Sequence, residues 1–212
     1  CGVYMTYQGP EGEVTATNQD TDKPDMTTTT FLRLVLDYAD DLDEAVEIAQ
    51  SYDMHDSAGT SYHYMVADAS GRSAIFEWVA ADDDTDTDGS ARELRVTYND
   101  DDAAFGEVEA AADYQWVTNF VLEPNYYASD DAKKGLDRYN ELYTRLSATD
   151  GIVADESAAM DVLAAVGRRS WNNDDANTIT VHSVVYNLTD RVMYWVPNEN
   201  FDDASAWITY KL

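Results

Sequence analysis

At 212 residues, 44% hydrophobic and 12% aromatic, the chain carries enough apolar material for one substantial domain and reads as globular. Its 42 acidic residues against 13 basic ones leave a formal charge of -29, which repels the phosphate backbone of nucleic acid and the anionic leaflet of a membrane; neither is expected as a partner. No apolar run approaches the ~20 residues that span a bilayer, and no charged-then-apolar leader stands at the start.

The acidic excess is mostly aspartate, and lysine is confined to Lys23, Lys133, Lys134 and Lys211. That balance suits a solvated surface tolerant of high salt. A single cysteine, Cys1, excludes an internal disulfide, so neither redox compartment nor localisation can be read from the sequence.

In chain order, residues 1–7 alternate loosely as a strand, and a turn comes next at Gln8-Gly9-Pro10-Glu11-Gly12. Hydroxyl caps at 27–30 open a helix with Phe31, Leu32, Leu34, Val35, Leu36 and Tyr38, apolar on most faces and expected to be buried. Asp41 with Glu44 three residues on is a capping box. It opens an amphipathic helix with Leu42, Ala45, Val46, Ile48 and Ala49 inward.

Residues 62–68 and 73–79, joined by Ala69-Ser70-Gly71-Arg72, predict a hairpin, and 93–98 a further strand. The stretch Tyr114-Gln115-Trp116-Val117-Thr118-Asn119-Phe120 predicts a short strand. Leu136, Tyr139, Leu142, Tyr143 and Leu146 recur at helical spacing, and 155–166 predicts another helix closed by Gly167. Strands at 178–186, 192–196 and 206–212 complete the chain. Helices, strands, helices, strands, with hairpins in place of regular βαβ alternation, predict a single α+β domain with antiparallel sheets covered by helices.

Few residues point to chemistry by type and spacing. The loop Asp84-Thr85-Asp86-Thr87-Asp88-Gly89 resembles the first half of a calcium loop, yet Arg95 stands where a bidentate glutamate belongs; a solvated hairpin loop is expected. His55, His63 and His182 share no metal-ligand spacing, and His63 and His182 fall in strands, where imidazole often satisfies a local hydrogen bond. No GxSxG elbow or glycine-rich phosphate loop occurs, and no metal or cofactor is expected.

Cys1 at a free N-terminus is a candidate nucleophile with its own α-amino group as base, and Asn18 and Asp20 lie at plausible distances to hold it. The cation that would depress its thiol pKa is missing, because position 17 is Thr17. Asn119, at the end of the aromatic strand, either opens a turn before Pro124 or offers its amide NH2 to a developing oxyanion. Arg138, on the next helix beside Asp137, is either solvated or a forked donor to a carboxylate or carbonyl.

These segments together resemble the choloylglycine hydrolase family, in particular its linear amide C-N hydrolase branch. The resemblance is carried by 27–37, beginning Thr27-Thr28-Thr29-Thr30-Phe31-Leu32-Arg33, then Asp43-Glu44-Ala45-Val46 and Tyr52-Asp53-Met54-His55. It continues through His63-Tyr64, Ala67-Asp68-Ala69-Ser70-Gly71-Arg72-Ser73, Glu77, Val117-Thr118-Asn119-Phe120, Asp137-Arg138-Tyr139 and Ser183-Val184-Val185-Tyr186-Asn187-Leu188.

The resemblance implies an N-terminal nucleophile (Ntn) hydrolase fold, a four-layer αββα sandwich, and a cysteine that attacks the carbonyl of a small-molecule amide. It puts the family's oxyanion asparagine at Asn119 and its helix arginine at Arg138, and it allows a homo-oligomer. The family's Arg-Asn-x-Asp and Asn-Glu-x-Gly-Leu segments are not found, and the opening residues resemble the stretch just downstream of the second of these. The chain is therefore expected to be the C-terminal portion of such a domain, incomplete at its N-terminus, with the nucleophile upstream. A non-catalytic acidic module, or a short enzyme using Cys1, are the alternatives.

Overall fold

The first of two units, Cys1–Tyr139, is organised on a four-stranded antiparallel sheet. The computed structural model describes residues 2–5, 16–80, 88–100, 114–122, 126–127, 133–168 and 179–212. Chain order in this unit is β1 (Gly2–Met5), β2 (Asp25–Thr27), α1 (Thr28–Tyr38), α2 (Leu42–Gln50), β3 (Asp53–His55), β4 (Tyr62–Ala67), β5 (Ser73–Val79) and β6 (Glu93–Tyr98). The sheet runs β1-β4-β5-β6, while β2 and β3 form a separate parallel pair.

β5 is buried along its whole length, which gives its two faces different tasks because successive side chains alternate. Ala74, Phe76 and Trp78 face the hydrophobic core with Phe31, Val35, Leu42, Ala45 and Tyr64. Phe31 meets Tyr64 edge-on at 5.0 Å and Trp78 at 5.8 Å, geometry that adds about 0.5–1.5 kcal/mol per pair beyond area burial. The alternate residues Ser73 and Glu77 face the segment 114–122. The predicted hairpin is present, with His63 opposite Glu77 and Tyr64 opposite Phe76.

The two helices over the core start where their caps predict. Thr27 accepts from the Thr30 N–H at 3.4 Å, and Asp41 accepts from the Glu44 N–H at 3.0 Å. The Glu44 carboxylate reaches back to the Asp40 N–H, one residue beyond the usual capping-box partner. α1 departs from expectation: it buries only the stripe Thr28, Phe31 and Val35, and Leu36 and Tyr38 are 61% and 74% exposed. One helix face meets the sheet; Leu36, a single 100° step past Val35, leaves it, while Tyr38 lies on the stripe but is the last residue of the helix.

Two other expectations change. Residues 114–120 form no regular strand, with a bend at Asn119 and a single bridge residue at Phe120; side-chain hydrogen bonds to the neighbouring sheet hold them where a ladder would. Gln115 donates to Thr97 O at 2.9 Å and accepts from the Ser73 hydroxyl at 3.0 Å. Cys1 and most of the acidic loop, residues 82–87, lie outside the described residues. Gly89, at the end of that loop, has φ +79°, and a Cβ there would sit 1.9 Å from Ala16 O, so only glycine fits.

The second unit, Asn140–Leu212, holds most of α3 (Leu136–Ser147), then α4 (Glu156–Ala165) and an antiparallel sheet of β7 (His182–Asn187), β8 (Val192–Pro197) and β9 (Ile208–Lys211) in that order. Asp155 caps α4 by accepting from the Ala158 N–H at 2.8 Å. The helix lies against β7, and Met160 and Val196 are among this unit's most buried apolar residues.

Asp56 joins the two layers of the first unit. Its Oδ1 accepts from the Tyr64 hydroxyl at 3.1 Å and the Thr28 hydroxyl at 3.4 Å, and its Oδ2 from the Thr17 N–H at 3.0 Å. Burial pushes its carboxyl above the ordinary value, and these hydrogen bonds offset part of the shift. A carboxyl raised in the folded state favours folding below its unfolded pKa and loses that contribution as pH rises through the folded value. Tyr64→Phe removes a donor to the ionised form and should cost roughly 1.5–3 kcal/mol at neutral pH, read as a lower urea midpoint at constant m value. It should also move the pH-dependent loss to higher pH.

Candidate active site

Asn119 and Arg138, distant in sequence and each open to a bland reading, are in contact. Arg138 Nη2 donates to Asn119 Oδ1 at 2.5 Å, a charge-assisted bond worth about 1.5–3 kcal/mol. A guanidinium has donors only. Asn119 must therefore turn its carbonyl oxygen to Arg138 and its NH2 to the other side. Asn119 is 8% exposed and Thr118 3%, so the amide is held in a largely desolvated place.

The start of α3 is built to make this contact. Gly135, at φ +83°, turns the chain into the helix, and the Tyr139 N–H closes the first turn on Gly135 O at 2.9 Å. The Thr118 hydroxyl donates to the same oxygen at 3.0 Å, and the Trp116 indole N–H to Tyr139 O at 3.1 Å. Tyr139 packs its ring against Trp116 and Phe120, each at 5.1 Å. Its phenol is pushed up by burial and, second, by the nearby Glu77 carboxylate. The helix turn is thus strapped to the 116–120 segment from both sides of Arg138.

Sequence reasoning singles out Asn119 and Arg138 but assigns no role to the pair beneath them. His63 Nδ1 lies 3.0 Å from Glu77 Oε1, and His63 Nε2 lies 2.7 Å from Thr118 O. The Leu122 N–H points between the two Glu77 oxygens, 3.0 Å from each. His63 and Glu77 are each 1% exposed. Two sequence signals mark the pair: a glutamate inside the apolar run Ile75-Phe76-Glu77-Trp78-Val79, and a hairpin register that sets a histidine opposite it. A carboxylate at such a position needs partners.

The other sequence candidates lie elsewhere. Thr17 is buried, and Asn18 Oδ1 accepts from His55 Nδ1–H at 2.8 Å, so this stretch is engaged with β3 and its flank. Asp20 is exposed. No group of three or more His, Cys, Asp or Glu side chains able to hold a metal occurs among the described residues.

Gly135 is the most exacting position in this arrangement. A Cβ there would lie 2.8 Å from Arg138 Nη2 and 3.1 Å from Thr118 Oγ1, on a backbone that L residues rarely adopt. Gly135→Ala should displace the guanidinium from Asn119 and destabilise the unit by about 1 kcal/mol or more. A crystal structure of the variant would show whether the Arg138–Asn119 bond has gone.

No curated protein sequence matches the chain. Among solved structures, an arginine-to-leucine variant of conjugated bile acid hydrolase from Clostridium perfringens matches with TM-score 0.56 at 14% identity, over 99% of this chain and 73% of that one. A cysteine-to-alanine mutant of the same hydrolase matches with TM-score 0.54 at 14% identity, over 98% and 73%. At that identity the likeness is one of fold, and the fold is that of the Ntn hydrolases. The family model for acyl-coenzyme A:6-aminopenicillanic acid acyl-transferase matches residues 13–201. Nearly the whole chain is covered by that match, and it belongs to this acyl-transferase family, within the choloylglycine hydrolase group that its motifs resemble.

Proposed function

We propose that this chain is part of a hydrolase that cleaves a linear amide C-N bond through a cysteine thiol, with Asn119 as an oxyanion donor. Its family acts on small-molecule amides. The observation that carries the reading is the Arg138–Asn119 bond. It turns the amide NH2 away from the guanidinium, and a preorganised donor is most useful where negative charge develops in the transition state.

In the reaction, a thiolate attacks the amide carbonyl and its oxygen takes on the charge. Asn119 Nδ2–H donates to that oxygen while Arg138 keeps the side chain from swivelling. The C-N bond breaks, the amine leaves with a proton, and water releases the acid from the thioester and restores the thiol. We place the thiol upstream of this stretch of chain. Supporting that placement, position 17 is a buried threonine bonded to Asp56 where a thiolate-stabilising cation would be needed for Cys1.

The substrates are drawn from the relatives by analogy: a conjugated bile acid or a penicillin, both acyl amides. Asn119→Ala in the intact protein should lower kcat by about 10²-fold or more with KM little changed, measured by amine release from penicillin V or a glycine-conjugated bile acid. Unchanged turnover in Asn119→Ala would sink the assigned role. An intact, folded protein that cleaves neither these nor other N-acyl amides would favour a non-catalytic binding module.

A further inference from the structure

Asn119 sits in a segment whose sheet pairing is limited to a single bridge residue, Phe120, so contacts beyond a regular ladder help to fix its aim. Two anchors do so. Thr118 O, one residue before it, faces His63 Nε2 at 2.7 Å; the Leu122 N–H, three residues after it, faces both Glu77 oxygens at 3.0 Å. The anchoring side chains come from β4 and β5 and face each other across the register His63–Glu77.

Donor and acceptor inventory constrains the pair further. A carbonyl only accepts, so His63 Nε2 carries a proton. A backbone N–H only donates, so Glu77 accepts from Leu122. The contact between Nδ1 and Oε1 then shares a single proton, and the pair has no net charge whichever atom holds it. An unbroken chain of hydrogen bonds runs from Thr118 O through the imidazole and carboxylate to Leu122 N. Both side chains are 1% exposed, so they act through the segment and do not touch substrate.

Resting on the proposed role of Asn119, we infer that His63 and Glu77 are positioning residues. They clamp Thr118 and Leu122 so that the Asn119 amide is presented at a fixed angle to the reacting carbonyl. A shift of about 1 Å in such a donor can cost on the order of 10²-fold in rate while leaving ground-state binding intact. A purely space-filling or stabilising pair would change folding stability without that selective effect.

The test compares Glu77→Ala, Glu77→Gln, His63→Ala and Asn119→Ala in the intact protein, each assayed well below its melting temperature with penicillin V. Glutamine preserves the chain of bonds: its carbonyl accepts from the Leu122 N–H and its NH2 donates to a neutral His63 that keeps Nε2–H on Thr118 O. Glu77→Ala and His63→Ala should lose about 10- to 100-fold in kcat with KM within about threefold of the parent, and Glu77→Gln should stay within about threefold in both. Where Asn119→Ala is impaired, Glu77→Gln as impaired as Glu77→Ala, or folded alanine variants with parental kcat, would overturn the inference.

Should either alanine variant not fold, His63→Gln and His63→Asn replace it. Only glutamine reaches Thr118 O, so equal kcat for the two would also overturn the inference. Two-dimensional 1H–15N spectra of the Asn119 side-chain amide read the aim without turnover. The resonance should move in Glu77→Ala and stay in Glu77→Gln. If Asn119→Ala leaves turnover unchanged while that pattern holds, the catalytic reading fails and the clamp stands. If Asn119→Ala abolishes turnover but the resonance is the same in both Glu77 variants, the clamp fails alone.

Discussion

A carboxylate in the middle of a strand that is buried from end to end has to be answered by donors, and much of the first unit is arranged around that need. Glu77 alternates with Phe76 and Trp78, so its side chain points to the opposite face of the sheet from the aromatic core. There it meets His63 across the hairpin and the Leu122 N–H from a segment that is otherwise held by side chains. An unanswered charge at this depth would cost several kcal/mol. With both donors in place it organises the segment that carries Asn119.

The same economy governs the arginine. Arg33, Arg72, Arg95 and Arg145 lie beside exposed or partly exposed carboxylates at 2.5, 2.8, 3.1 and 2.7 Å, contacts worth little in water. Arg138 instead turns back over Gly135 to an amide in a buried segment. In a chain of net charge -29, a cation with many carboxylates to choose from on the surface is directed to a neutral oxygen. The glycine at the helix start and the two carbonyls strapped by Thr118 and Trp116 make that choice geometrically available.

Some of this is legible without the structure. The caps at Thr27 and Asp41 and the hairpin turn at 69–72 are local chemistry, and each element begins or turns where that chemistry says. Asn119 and Arg138 are legible as candidates through the family resemblance, because by type and spacing alone they read equally well as a turn opener and a solvated helix arginine. The strand expected at 114–120 is not present as such, since β-propensity describes a surface on which a segment fits and not whether a partner strand is there to pair with it. Leu36 and Tyr38 depart from expectation for a related reason: an apolar helix face is buried only if a layer covers it.

What the sequence by itself determined is therefore local and periodic: where helices start, where the hairpin turns, which residues share a face, and the family motifs spread along the chain. Which polar groups are brought together was decided only by the tertiary structure. His63 and Glu77 are 14 residues apart, Asn119 and Arg138 are 19, and Thr118 lies 55 residues from His63. No local preference encodes such pairings. They arise because burial of the apolar face of β5 fixes its register and leaves the carboxylate on its other face no water to turn to.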